Sequence, residues 1–118
     1  MGVLVLKLLI VIVIGYLLGS LNTSIIVGRL YGTDIRKHGS GNAGMTNTLR
    51  TLGKAAAVLV IIGDVLKGVL SYLIGNVVFN IKPEVVMHNI ENIGGMAAGI
   101  AAIAGHNWPV YFGFKGGK

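Results

Sequence analysis

Three apolar segments separated by two polar ones organise the chain. Val3 to Leu18 is almost wholly apolar, interrupted by Lys7, Gly15 and Tyr16. Carried through Leu21 it gives about 19 residues, roughly 28 Å as a helix, enough to cross a hydrocarbon core. Lys7 lies near one end, where its stem can carry the ammonium to the interface. Asn22 to Tyr31 stays helix-compatible through Ile25, Ile26, Val27 and Leu30. The first helix is therefore expected to run on into the interface, with a bend at Gly19-Ser20. A second apolar run covers Ala55 to Val78. A third starts at Ile93 and reaches Phe112, with Pro109 expected to end or break its helix. The pattern predicts an all-α integral membrane protein with about three transmembrane helices. It reads as one polytopic domain over residues 1–118, with spans of about 3–21, 55–78 and 93–112.

The polar segments differ in character. Gly32 to Asn47 is a loop rich in glycine, amides and hydroxyls, and Thr46 or Asn47 is expected to cap a helix starting near Thr48. Phe79 to Glu91 reads as a second loop, with Lys82, Pro83, Glu84, His88 and Glu91.

Composition strengthens the membrane reading. Only 12% of residues are charged and 53% are hydrophobic, where a soluble domain carries about 25% charge. Mean hydropathy is +0.77. The first apolar run is longer than a signal-peptide core and no small-x-small site follows it, so it is expected to be a retained span. There is no cysteine, which removes disulfides and thiolate metal sites. The formal net charge is +6, but the basic residues sit in short loops beside apolar runs. That placement suits membrane orientation and phosphate better than nucleic acid. Arg29 to Lys54 holds five Lys/Arg and Phe79 to Glu91 holds one, Lys82. The first loop is thus expected in the cytoplasm and the N-terminus outside, with the Lys115–Lys118 end on the cytoplasmic side too.

Candidate chemistry concentrates in four places. In Gly39-Ser40-Gly41-Asn42, glycines can let backbone N–H groups converge, while Ser40 and Asn42 add neutral donors and Arg50 adds a bidentate cation. This suits phosphate; a plain juxtamembrane linker explains the same composition. Phe114-Lys115-Gly116-Gly117-Lys118 can grip an anion or serve as a basic flank. His106, in Gly105-His106-Asn107-Trp108-Pro109, can carry a proton or position a neighbour, and Trp108 and Tyr111 suit a membrane interface. Asp64 and Lys67, three apart on one helix face, are expected to pair and to face protein or water. The three histidines show no metal-ligand spacing, and no nucleophile elbow is present.

These motifs carry a family resemblance. The run from Ile35 through Gly39-Ser40-Gly41-Asn42-Ala43-Gly44 to Arg50 resembles the first signature of the acyl-phosphate-dependent glycerol-3-phosphate acyltransferases, the PlsY family. Gly63-Asp64-Val65-Leu66-Lys67-Gly68 resembles its second-span motif, and Gly105 to Phe112 followed by Phe114 to Lys118 resembles its second signature. Met45 stands where the family usually has Ala, and Asn22 where it often has Pro. Family members are about twice as long, with seven spans and a third signature. The resemblance therefore implies that this chain is the N-terminal portion of such an architecture, with little activity alone.

The resemblance implies transfer of an acyl group from acyl-phosphate to the 1-hydroxyl of glycerol 3-phosphate, giving 1-acyl-glycerol 3-phosphate (lysophosphatidic acid) in the bacterial inner membrane. No metal or cofactor is demanded, because the mixed anhydride already has a good leaving group. By motif position, Gly39, Ser40, Gly41 and Asn42 would form the phosphate loop, Asn47 would brace it and Arg50 would clamp phosphate. Lys115, Gly116, Gly117 and Lys118 would hold the second phosphate. Ser40, Arg50, Lys118 and His106 would be the catalytic set, His106 as a positioning group. Expected partners are the two substrates, membrane lipid and the enzyme that makes acyl-phosphate. Two other readings stand beside this one: a non-catalytic membrane assembly subunit and a small anion transporter.

Overall fold

The computed structural model of the protein describes residues 2–80 and 93–117. The expected loop over Lys82, Pro83, Glu84, His88 and Glu91 lies outside the described residues, as does Lys118. Among the described residues five α-helices follow one another: α1 Gly2–Gly19, α2 Thr23–Leu30, α3 Met45–Leu52, α4 Lys54–Asn80 and α5 Ile93–Asn107. Short 3-10 turns occupy Ile35–Lys37 and Val110–Phe112.

Helix α1 is apolar all round. Its buried residues are Val11, Gly15 and Gly19, a single line at four-residue spacing that faces α5. Only 17% of the most apolar window in Gly2–Leu30 and 22% of that in Lys54–Val78 is buried. A soluble core helix would be mostly buried; these two segments present apolar side chains outward, as helices do in lipid. Helix α5 packs against both α1 and α4. Small residues make this possible. A Cβ on Gly15 would strike the backbone of Ala98, one on Gly19 the backbone of Ala102, and one on Gly105 the carbonyl of Tyr16. Without a hydrophobic drive between helices in lipid, such close backbone approach supplies the packing energy.

The first helix breaks where the bend was expected. Residues 20–22 leave the α-helical path, and α2 restarts with Asn22 as its N-cap. The Asn22 side chain accepts from the Ile25 N–H at 3.0 Å and donates to the Ala43 carbonyl at 3.4 Å. One fully buried amide therefore starts α2 and ties it to the polar loop.

The expected cap of the next helix is corrected. Helix α3 begins at Met45, with Gly44 as N-cap and no side-chain capping bond. Thr46 and Asn47 lie inside the first turn. Asn47 is too deep in the helix to cap it, and its side chain serves the loop instead. Beneath the loop, Ile25, Ile35 and Ala43 form a small core flanked by Leu52 and Phe112. Val27, Ala56 and Val60 form a second core that joins α2 to α4.

Candidate functional site

The polar loop and the C-terminal strap meet across a groove of about 630 Å³, lined by Ser40, Gly41, Asn42, Asn107, Trp108, Phe114, Lys115, Gly116 and Gly117. The two basic, glycine-rich segments, distant in sequence, thus become facing walls.

Asn47 organises the loop wall. Its Nδ2 donates to the carbonyls of Ile35 at 3.2 Å, His38 at 2.9 Å and Asn42 at 3.0 Å. Its Oδ1 accepts from the Ser40 N–H at 3.1 Å. The chain circles this one buried side chain by taking positive φ at Gly39 (56°) and Gly41 (77°), conformations that are costly for residues with a Cβ. The expected convergence of loop amides is corrected by this geometry. Ser40 N–H points to Asn47, Gly41 N–H bonds the His38 carbonyl at 2.9 Å, and Asn42 N–H bonds Ser40 Oγ at 3.3 Å. These three amides are spent on holding the loop. The Ser40 hydroxyl proton and the Asn42 side-chain amide remain available to an anion.

Arg36 fastens the strap wall. Its guanidinium takes the Asp34 carboxylate through Nε and Nη2, both at 3.0 Å. Its Nη1 donates to the Phe112 carbonyl at 2.6 Å and the Lys115 carbonyl at 3.3 Å. The Arg36 hydrogen bond is the main cause that holds the Asp34 carboxyl below its ordinary range, aided by the charges of Arg36 and Lys37. Arg29 stacks over the Phe112 ring at 5.1 Å. The strap then returns on α5, with Gly116 N–H donating to the Asn107 carbonyl at 3.2 Å and Gly117 N–H to that of His106 at 3.1 Å.

The remaining expected residues separate into three positions. Gly39 and Asn47 build the loop without lining the groove. Arg50 is exposed on α3 and does not line the groove. His106 lies behind the strap, beside the ion pair of Lys67 Nζ with Asp64 Oδ1 at 3.3 Å. The expected Asp64–Lys67 pairing is present and faces protein. Reading the sequence did not single out Arg36, Asn107 or Phe114 for the site. Arg36 looked like one more positive-inside charge, and only the Asp34-x-Arg36 spacing hinted at a preset guanidinium. Phe114 carries a positive φ of 61°, an uncommon state for a bulky residue, in the turn that swings Lys115 toward the groove.

The chain is similar to known proteins in sequence and in fold. The family model for glycerol-3-phosphate acyltransferase matches residues 9–118. The glycerol-3-phosphate acyltransferase of Alkaliphilus metalliredigens is 49% identical over 111 residues, covering 93% of this chain and 51% of the relative. That of Clostridioides difficile is 48% identical over 112 residues, covering 93% and 52%. The chain thus spans about half the length of these curated relatives. The crystal structure of PlsY, an integral membrane glycerol 3-phosphate acyltransferase, in its glycerol 3-phosphate form superimposes with a TM-score of 0.74 at 38% identity, covering 93% of this chain and 50% of that one. Its lysophosphatidic acid form gives 0.71 at 37% identity, with the same coverage. With a match over nearly its whole length, the chain belongs to the glycerol-3-phosphate acyltransferase family.

Proposed function

We propose that this chain supplies two walls of the phosphate site of an acyl-phosphate-dependent glycerol-3-phosphate 1-O-acyltransferase. The observation that carries the reading is the groove in which the Ser40–Asn42 loop faces the Lys115–Gly117 strap. Both substrates carry phosphate, and neutral donors opposite an ammonium suit a phosphate monoester or an acyl-phosphate. The protein resides in the bacterial inner membrane as a multi-pass protein, with its N-terminus outside and the groove on the cytoplasmic side. The outward apolar faces of α1 and α4 give an acyl chain a lipid-side approach.

In the reaction the 1-hydroxyl of glycerol 3-phosphate attacks the acyl carbonyl. The new C–O ester bond forms, the acyl–phosphate C–O bond breaks, and the departing phosphate takes the hydroxyl proton. The products are 1-acyl-glycerol 3-phosphate and inorganic phosphate. The protein holds the two phosphates in register and offsets charge on the leaving one. Ser40 and Asn42 hold one phosphate, and Arg50 joins them where the complete enzyme draws the α3 face over it. Lys115 and Lys118 hold the other. Handover from the enzyme that makes acyl-phosphate suits a donor so prone to hydrolysis.

A chimera tests this reading. Residues 1–118 are joined to the C-terminal half of the Alkaliphilus metalliredigens relative and assayed with acyl-phosphate and glycerol 3-phosphate. The expected result is acyl transfer that falls with Ser40→Ala or Lys115→Ala, and little transfer by the 118-residue protein alone. A folded chimera without transfer, beside an active intact relative, sinks the proposal and returns the chain to an assembly role or anion transport.

A further inference from the structure

Lys67 Nζ meets a carbonyl and a histidine ring nitrogen at hydrogen-bond distance and forms an ion pair with a carboxylate. It lies 3.1 Å from the Gly19 carbonyl, 2.9 Å from His106 Nδ1 and 3.3 Å from Asp64 Oδ1. The Leu21 carbonyl stands farther off at 3.5 Å. Gly19 ends α1, so its carbonyl has no helical partner and draws a cation. An ammonium only donates. His106 Nδ1, facing that ammonium, must therefore present its lone pair. A proton on Nδ1 would set two donors against each other. Asp64 Oδ1, at 4.0 Å from Nδ1, is too far to accept a hydrogen bond from it. A neutral imidazole that accepts at Nδ1 carries its proton on Nε2.

The Nε2 edge of the ring faces the strap. A Cβ built on Gly117 would strike Nε2 and come within 2.8 Å of both His106 Cε1 and the Ala43 carbonyl. The strap thus threads between the imidazole and the loop wall, and Gly117 N–H donates to the His106 carbonyl at 3.1 Å.

We infer that Lys67 is a positioning residue that locks His106 as the Nε2–H tautomer and so aims a neutral donor at the junction of strap and loop. This rests on the proposed phosphate site for its purpose, though not for its geometry. It also assigns His106 a chemistry: its one basic nitrogen is occupied by an ammonium, so it positions through an N–H and does not take the acceptor's proton. The membrane-buried ion pair then acts on the groove from behind, through one ring.

Nitrogen-15 NMR of the 118-residue protein in phospholipid nanodiscs, with labelled histidine, reads this directly. The His106 signals are assigned by their loss in His106→Gln. The expected spectrum at pH 7.5 has a protonated Nε2 and an unprotonated Nδ1. Lys67→Met, which keeps length but removes the donors, is expected to give the second tautomer as well, and Lys67→Arg to restore the first alone. A wild-type ring protonated on Nδ1, or on both nitrogens, overturns the inference even if Lys67→Met fails to fold. So does a single unchanged tautomer in a folded Lys67→Met. The readout needs no turnover, so an inactive chimera would refute the proposed function and leave this result standing.

Discussion

The backbone N–H of Ser40 donates to Asn47 Oδ1 at 3.1 Å, and this bond decides which parts of the loop can meet a ligand. Asn47 answers four backbone groups with one side chain. Asn47→Ala should leave several of them unpaired at a site with 1% exposure. A cost of about 1–3 kcal/mol is expected. Asn47→Asp should be no better, because it turns an acceptor toward three carbonyls. Thermal unfolding in detergent micelles checks both, with equal melting points for wild type and variants as the contrary result.

Helix packing offers a matched pair. A Cβ on Gly19 meets the Ala102 backbone, whereas one on Gly99 meets nothing within 4 Å. Gly19→Ala is expected to push α1 from α5 and cost about 1–3 kcal/mol, as overpacking does. Gly99→Ala should be neutral or slightly stabilising through helix propensity. If both variants melt alike, the described approach of α1 to α5 is wrong.

The strap should loosen in acid. The Asp34 carboxyl is held below its ordinary range, chiefly by its hydrogen bond from Arg36. A depressed carboxylate adds stability above its unfolded pKa, and that stability disappears as pH falls through the lower, folded value. Protection of the Gly116 and Gly117 amides from hydrogen exchange is therefore expected to hold at neutral pH and to fall below about pH 4. Asp34→Asn should lower it at neutral pH, converge with the wild type in acid and so flatten the profile. Arg36→Ala should release the Phe112 and Lys115 carbonyls outright. An acid profile identical in Asp34→Asn and wild type would assign the loss elsewhere.

Groove position ranks two cations. Lys115 lines the groove and Arg50 does not. In the chimera, Lys115→Ala is expected to lower kcat/KM by about 100-fold or more, roughly 3 kcal/mol, the size seen when a preorganised donor is lost. Arg50→Ala should cost as much only if the complete enzyme draws the α3 face over the phosphate. Steady-state kinetics of both variants decides whether Arg50 belongs to the clamp.

Much of the architecture was legible in local pattern. Apolar runs marked α1, α4 and α5, Gly19-Ser20 marked the break, and Asp64 and Lys67 paired across one helical turn as their spacing demanded. Charge and the alternation of spans put the two basic glycine-rich segments on one side, and the two line one groove. What escaped was the direction of individual groups. Glycines at 39 and 41 permit a positive φ without saying where the intervening amides point, so converging donors were expected where the amides turn inward. Arg36 reaches Phe112 and Lys67 reaches His106 across 76 and 39 residues. Nothing in either local sequence marks such pairings; they follow only once three helices are packed.

The interruption at residues 20–22 has a consequence for the order of assembly. It strips the Gly19 carbonyl of its helical partner, and the replacement comes from Lys67 on α4. When α1 first enters the bilayer, α4 has not yet been made. An unbroken helix through Leu30 then satisfies its own backbone, whereas the kinked form leaves a bare carbonyl near hydrocarbon. The first segment should therefore insert straight and acquire its kink later, as the lysine arrives.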